Sequence, residues 1–96
     1  MNVVHSINYP TAKKLQNNGG IIVDVRSKAE HKKYHLPNSI CLPLEDIFDL
    51  HQKFLPNKNS PVIVYCETGA RSRIATVFLK NLGYRQIYDL GGIKYL

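Results

Sequence analysis

The chain has 96 residues, 44% of them apolar and 21% charged, which fits one globular domain with a single small core. No apolar run approaches the roughly 20 residues needed to cross a bilayer. The N-terminal stretch from Met1 to Ser6 lacks the basic region and long apolar segment of a secretory leader, so a cytoplasmic location is expected. The formal net charge is +6, but Lys13, Lys14, Lys28, Lys32, Lys33, Lys53, Lys58 and Lys80 are dispersed. Such a pattern is either a set of solvated helix faces or a field that favours small anions or an acidic protein partner. No nucleic-acid-binding motif accompanies it, so nucleic acid is not an expected partner. The two cysteines, Cys41 and Cys66, are expected to be reduced. Neither belongs to a Cys-x-x-Cys pair and the four histidines lack zinc-ligand spacing, so no metal and no cofactor is expected.

Short β-rich runs alternate with helical ones, which predicts an α/β domain with a largely parallel sheet. Val3 to Ile7 is the first strand. Asn8 caps a helix with Pro10 in its first turn, where a missing N–H costs nothing, and Gly19-Gly20 ends it after Asn17. Ile21 to Val25 is a second strand, apolar on both faces through Val23 as a buried parallel strand should be. Asp24 interrupts it, and a carboxylate there needs a partner. Strand alternation sends Arg26 to the same face, where the two can pair. Ser27 and Glu30 have the spacing of a capping box, which places a short helix over roughly Lys28 to Tyr34. His35 to Ser39 is a turn, and His35 is expected to pack or hydrogen-bond within it. Ile40 to Leu42 is a third strand, with Cys41 as a small buried apolar residue.

Pro43 to Leu55 is expected to be a helix with an apolar stripe of Leu44, Ile47, Phe48, Leu50, Phe54 and Leu55, leaving His51 on the solvated side. Pro56 to Ser60 is a surface loop. Pro61 to Tyr65 is the fourth strand and, with the second, the most hydrophobic, so it should be central. In the next helix Ile74, Ala75, Phe78, Leu79 and Leu82 fall on one face, with Arg73, Thr76, Lys80 and Asn81 opposite. Gly83 ends it. Gln86 to Leu90 is the fifth strand, and Gly91-Gly92 is expected to turn the chain.

Cys66 ends the fourth strand and precedes a helix, at the sheet edge where open α/β folds hold ligands. A helix N-terminus carries about half a positive charge and unpaired N–H donors. Both favour thiolate over thiol. Arg71 and Arg73 add to the positive field, and Gly69 lets the loop curl its N–H groups inward. These features predict a nucleophilic thiolate in an anion-binding cradle. Against that stands a buried cysteine of no catalytic use, as small residues at strand ends often are. Glu67 is out of place in an anion site. It points to solvent or it moderates the charge of the pocket.

Four segments together resemble a known family over nearly the whole length, that of the single-domain rhodanese-like sulfurtransferases. Asp24-Val25-Arg26 with Glu30 is similar to the family's Asp-Val-Arg segment and its downstream acid. His35-Leu36-Pro37-Asn38-Ser39-Ile40 is similar to its His-Ile-Pro-Gly-Ala turn, with Asn38 in place of glycine. Cys66-Glu67-Thr68-Gly69-Ala70-Arg71-Ser72 resembles its active loop, and Leu90-Gly91-Gly92-Ile93 its late double glycine. The resemblance implies a three-layer fold over residues 1–96, a five-stranded mainly parallel sheet in the order 3-2-4-5-1 with helices on both faces.

The resemblance also implies a chemistry. Cys66 would take sulfane sulfur from thiosulfate or a persulfide donor, hold it as a persulfide and pass it to cyanide or a thiol. Glu67, Thr68, Gly69, Ala70, Arg71 and Ser72 would bind the donor, with Asp24, Arg26 and Glu30 bracing the sheet end nearby. Partners would be a small anionic donor, a thiophilic acceptor and a sulfur-relay protein.

Cell-cycle phosphatases share the fold but carry a longer loop. Here four residues, Glu67 to Ala70, separate Cys66 from Arg71, which suits sulfur rather than a phosphoryl group. The rival readings are a non-enzymatic sulfur carrier fed by a partner desulfurase, and a phosphatase or arsenate reductase. Two features depart from the family pattern. Glu67 stands where a basic or neutral residue is more usual. After the double glycine Tyr95 stands in for the usual aromatic, and the closing helix is expected to be short or absent.

Overall fold

A computed structural model describes residues 3–96. Met1 and Asn2, the start of the segment read above for leader features, lie outside the described residues. Five strands form one parallel sheet: β1 (Val3–Ser6), β2 (Ile21–Asp24), β3 (Ile40–Cys41), β4 (Val62–Cys66) and β5 (Gln86–Gly92). Their order is β1-β5-β4-β2-β3, the order that the family resemblance implies, read from the opposite edge. No helix among the described residues is long and apolar enough to cross a membrane.

The alternation of β4 builds the two cores. Val62, Val64 and Cys66 face a cluster containing Ile47 of α3 (Ile47–Phe54), Leu55 just after it, and Ala75 and Leu79 of α4 (Ala70–Asn81). Ile63 and Tyr65 face the opposite cluster with Ala12 of α1 (Tyr9–Asn17) and Leu90. All five β4 residues are buried, and each large apolar side chain so placed contributes about 1.5–3 kcal/mol. β2 lies beside β4 in register, with Asp24 paired to Tyr65. That register brings the carboxyl ends of β2 and β4 together, next to the loop after Cys66.

The local signals hold. Asn8 caps α1 by accepting from the Thr11 N–H. The Ser27–Glu30 capping box opens α2 (Lys28–Lys33) with both of its bonds formed. Asn38 has φ +59°, the left-handed conformation that suits glycine and, among other residues, asparagine.

Five details differ from the sequence-based expectation. The Pro43–Leu55 segment begins as a 3-10 turn, Leu44–Asp46, before α3. His51 is buried, not solvated: its Nδ1 lies 2.9 Å from the Tyr84 hydroxyl, and burial pushes its pKa below the usual range. Tyr84 sits after α4 and supplies the polar partner that no pattern within α3 could reveal. The inward face of α4 is Ser72, Ala75, Thr76 and Leu79, whereas Ile74 is 45% exposed. Thr76 tolerates burial because its hydroxyl donates to the Arg73 carbonyl at 2.6 Å. Cys41 is only partly buried, since β3 is a two-residue edge strand. Gly91 and Gly92 do not turn the chain but extend β5 beside Tyr65 and Cys66, past a register shift between Val64 and Tyr65.

Candidate active site

The loop after β4 wraps around the Cys66 sulfur. The Gly69 N–H donates to Sγ at 3.0 Å and the Ser72 N–H at 3.3 Å. Gly69 has φ +101° and caps α4, so the conformation that aims its N–H inward is one that other residues adopt only with strain. The Ser72 hydroxyl donates back to the Gly69 carbonyl at 3.0 Å and closes the turn. Cys66 is fully buried at the N-terminus of α4, with these two backbone donors aimed at its sulfur.

The loop lies flat against the end of β5 because residue 92 is glycine. A Cβ there would stand 2.7 Å from the Glu67 carbonyl oxygen and 2.7 Å from the Thr68 carbonyl carbon. The Lys94 N–H also donates to the Glu67 carbonyl at 3.2 Å. The late double glycine thus has a steric reason, which its position in the sequence could flag but not explain.

Asp24 and Arg26 meet as expected from strand alternation. The Arg26 Nη2 donates to Asp24 Oδ2 at 2.9 Å and its Nε to Oδ1 at 3.0 Å, with both side chains essentially inaccessible to solvent. Burial alone would lower the Arg26 pKa, but the Asp24 hydrogen bonds and charge hold it above the usual range. The same guanidinium reaches the Tyr34 carbonyl at 2.7 Å and Glu67 Oε1 at 3.2 Å, and lies over the Tyr34 ring. His31 Nδ1 is 2.9 Å from Asp24 Oδ2, and the His31 and His35 rings stack with centroids 3.9 Å apart. His35 also bonds within its turn, its Nδ1 lying 2.8 Å from the His31 carbonyl.

Arg71, expected to bind the donor, is held by a partner from α2. Its guanidinium forks onto Glu30, with Nη1 to Oε1 at 2.7 Å and Nη2 to Oε2 at 2.9 Å. That fork holds the Glu30 carboxyl down at about 2, while Glu30 also accepts from the Ser27 N–H. Glu30 therefore caps α2 and anchors the first turn of α4 together. Glu67 also finds partners, Arg26 and the Tyr34 hydroxyl, the latter at 2.8 Å. Tyr34 and Tyr65 were not singled out by the sequence reading. Tyr65 is buried under the site, and its hydroxyl accepts from the Leu36 N–H at 3.1 Å and lies 3.0 Å from the Ser39 hydroxyl. Nothing local distinguishes it from any other aromatic strand residue.

On the β5 side of the loop lies an open cleft of about 600 Å³, lined by Thr68, Gly69, Ala70, Arg73, Asp89 and Gly92 among others. Among the described residues no group of three or more His, Cys, Asp or Glu side chains is arranged to hold a metal ion.

Comparison with known proteins agrees with this geometry. The model of the rhodanese-like domain matches residues 9–95. The chain is 32% identical over 72 residues to the thiosulfate sulfurtransferase PspE of Escherichia coli (strain K12), covering 75% of this chain and 69% of that protein. It is 32% identical over 88 residues to a tRNA uridine(34) hydroxylase of Buchnera aphidicola, covering 85% of this chain but only 28% of that protein's length. Among solved structures, a rhodanese with anions from E. coli superposes with a TM-score of 0.76 at 29% identity, over 81% of this chain and 92% of that one. With the strand order, the loop around Cys66 and these matches in agreement, the chain belongs to the rhodanese-like domain family of sulfurtransferases.

Proposed function

We propose that the protein moves sulfane sulfur from thiosulfate or a persulfide donor to a thiophilic acceptor, a thiol or cyanide, through a persulfide on Cys66. The observation that carries this reading is the pair of N–H donors, from Gly69 and Ser72, aimed at Sγ from the start of α4. The Cys66 thiolate attacks the outer sulfur of the donor. With thiosulfate the S–S bond breaks, sulfite leaves with the bonding pair, and Cys66 retains the sulfur. An acceptor thiolate or cyanide then attacks that outer sulfur and releases the Cys66 thiolate. No general base is needed at either step.

The loop from Glu67 to Ser72 forms the rim of the donor site. Gly69 and Ser72 act through their N–H groups, Thr68 and Ala70 through the backbone path they fix. Arg71 acts through its fork to Glu30, and Asp24 and Arg26 brace the sheet end against the loop. Incubation with a sulfane donor should add about 32 Da, one sulfur, to the peptide containing Cys66, and Cys66→Ser should abolish the gain. Absence of any gain with both donor classes would refute the proposal.

A second reading is a sulfur carrier loaded by a partner protein, supported by the net charge of +6. Rapid loading from a protein persulfide with negligible turnover of free thiosulfate would favour it.

A further inference from the structure

We infer that Glu67 makes the Cys66 loop selective for organic persulfides over thiosulfate, because the cations on the β2 side of the loop are already matched by carboxylates. This inference rests on the sulfurtransferase reading above.

The charge count at the loop is specific. Arg26 is bound to Asp24 and Glu67, and Arg71 is forked onto Glu30. Two guanidiniums therefore face three carboxylates, Asp24, Glu30 and Glu67, and the His31 ring lies 2.9 Å from Asp24 as a further partner. Glu67 is the carboxylate nearest the sulfur in sequence, one residue after Cys66, and its side chain remains 34% exposed. It is held at this position from two sides, by Arg26 Nη1 at 3.2 Å and the Tyr34 hydroxyl at 2.8 Å. Glu67 also pushes the Tyr34 phenol pKa above its usual range, so the hydroxyl stays a donor to it. On the opposite side of the loop Arg73 faces the open cleft, but Asp89 lines the same cleft.

The overall charge of +6 does not reverse this balance. Dispersed surface lysines act through solvent, screened over about 8–10 Å at moderate ionic strength, whereas Glu67 directly follows Cys66 in the chain.

The two donor classes differ in where their charge sits. Thiosulfate is a dianion whose sulfonate is bonded directly to the sulfur that is transferred. An organic persulfide, R–S–SH, carries carbon on its inner sulfur and keeps any carboxylate several bonds away. Its transfer balances without an added reactant: the Cys66 thiolate bonds to the outer sulfur, the S–S bond breaks, R–S⁻ leaves with the electron pair, and Cys66 carries S–SH. The loop N–H groups serve either donor, but only thiosulfate must bring two negative charges up to Glu67.

The test measures second-order rate constants for loading Cys66, read by mass, with thiosulfate and with N-acetylcysteine persulfide. Glu67→Gln keeps the shape and a hydrogen-bond acceptor for Arg26 while removing the charge. It should raise the thiosulfate constant about tenfold and change the persulfide constant by less than about threefold, the scale of one charge acting at short range near a protein surface. Tyr34→Phe removes the hydroxyl but leaves the charge, so it should leave the ratio of the two constants at its wild-type value. An unshifted ratio in Glu67→Gln, or an equal shift in Tyr34→Phe, overturns the assignment. If Glu67→Gln does not fold, Glu67→Ala carries the same expectation and the same refutation. Loading by either donor with an unshifted ratio removes the role of Glu67 alone. Loading by neither donor removes the sulfurtransferase reading with it.

Discussion

Gly92→Ala tests the packing that holds the active loop. The added Cβ would lie 2.7 Å from the Glu67 carbonyl oxygen, 2.7 Å from the Thr68 carbonyl carbon and 2.8 Å from the Thr68 Cα. All three are backbone atoms, so no side chain can swing aside. Ordinary contact between carbons is about 3.5–4.0 Å, so the loop must retreat by roughly 1 Å. The backbone angles of Gly92, φ −93° and ψ 126°, are open to alanine, so the conflict is steric alone. Overpacking of this kind costs about 1–3 kcal/mol. For a domain of this size 2 kcal/mol lowers Tm by about 8–16 °C.

A 1 Å retreat also draws the Gly69 and Ser72 N–H groups out of line with Sγ, which should slow sulfur loading by about tenfold to a hundredfold. The assay pairs calorimetric Tm with the loading rate at Cys66. Gly19→Ala is the control. Gly19 has φ +98° and open space around it, far from the loop in the α1–β2 turn, so alanine there costs about 1–2 kcal/mol of backbone strain without a clash. Its Tm should fall while its loading rate holds. The reasoning is refuted if Gly92→Ala keeps the wild-type loading rate, whatever its Tm.

Two further outcomes follow from the ion pairs. Arg26→Leu leaves the Asp24 carboxylate buried with only His31 as a side-chain partner, and should destabilise the protein by about 3–5 kcal/mol in chemical denaturation; a loss under about 1 kcal/mol would show that Asp24 is not held by Arg26. Glu30→Gln tests the fork to Arg71. The folded-state pKa of Glu30 is lowered from 4.5 to about 2, so its stabilisation is complete above pH 4.5 and is lost as pH falls toward 2. Because its side chain is 36% exposed, screening reduces the contribution to about 1 kcal/mol. The stability gap between wild type and Glu30→Gln should therefore be present at pH 7 and close below pH 4.5, and a gap independent of pH would contradict the pairing.

Much of the site was legible because its signals are local. A β-branched run ending in cysteine, a glycine able to take positive φ, and a helix start fix how the loop leaves β4, and each acts within a few residues. The capping box and the Asn8 cap are equally short-range. The Asp24–Arg26 pair follows from strand alternation alone. These are the features the sequence by itself determined: the strands and their apolar faces, the position of Cys66 at a strand end, and the curl of the loop over it.

The tertiary structure decided what the charged groups do. Glu30 and Arg71 are 41 residues apart, as are Arg26 and Glu67, and neither pair exists until β2 lies beside β4. The carboxylate partner of Arg71 is not visible from the loop because it is remote in sequence. Glu67 could be read as solvated for the same reason. His51 joined the core through Tyr84, 33 residues away, and the inward face of α4 rotated to present Ser72 and Thr76 because each satisfies its hydroxyl on its own helix turn. Periodicity records which side chains prefer to leave water. It does not record which polar groups find partners when the sheet closes, and at the Cys66 loop those pairings decide which charges are matched.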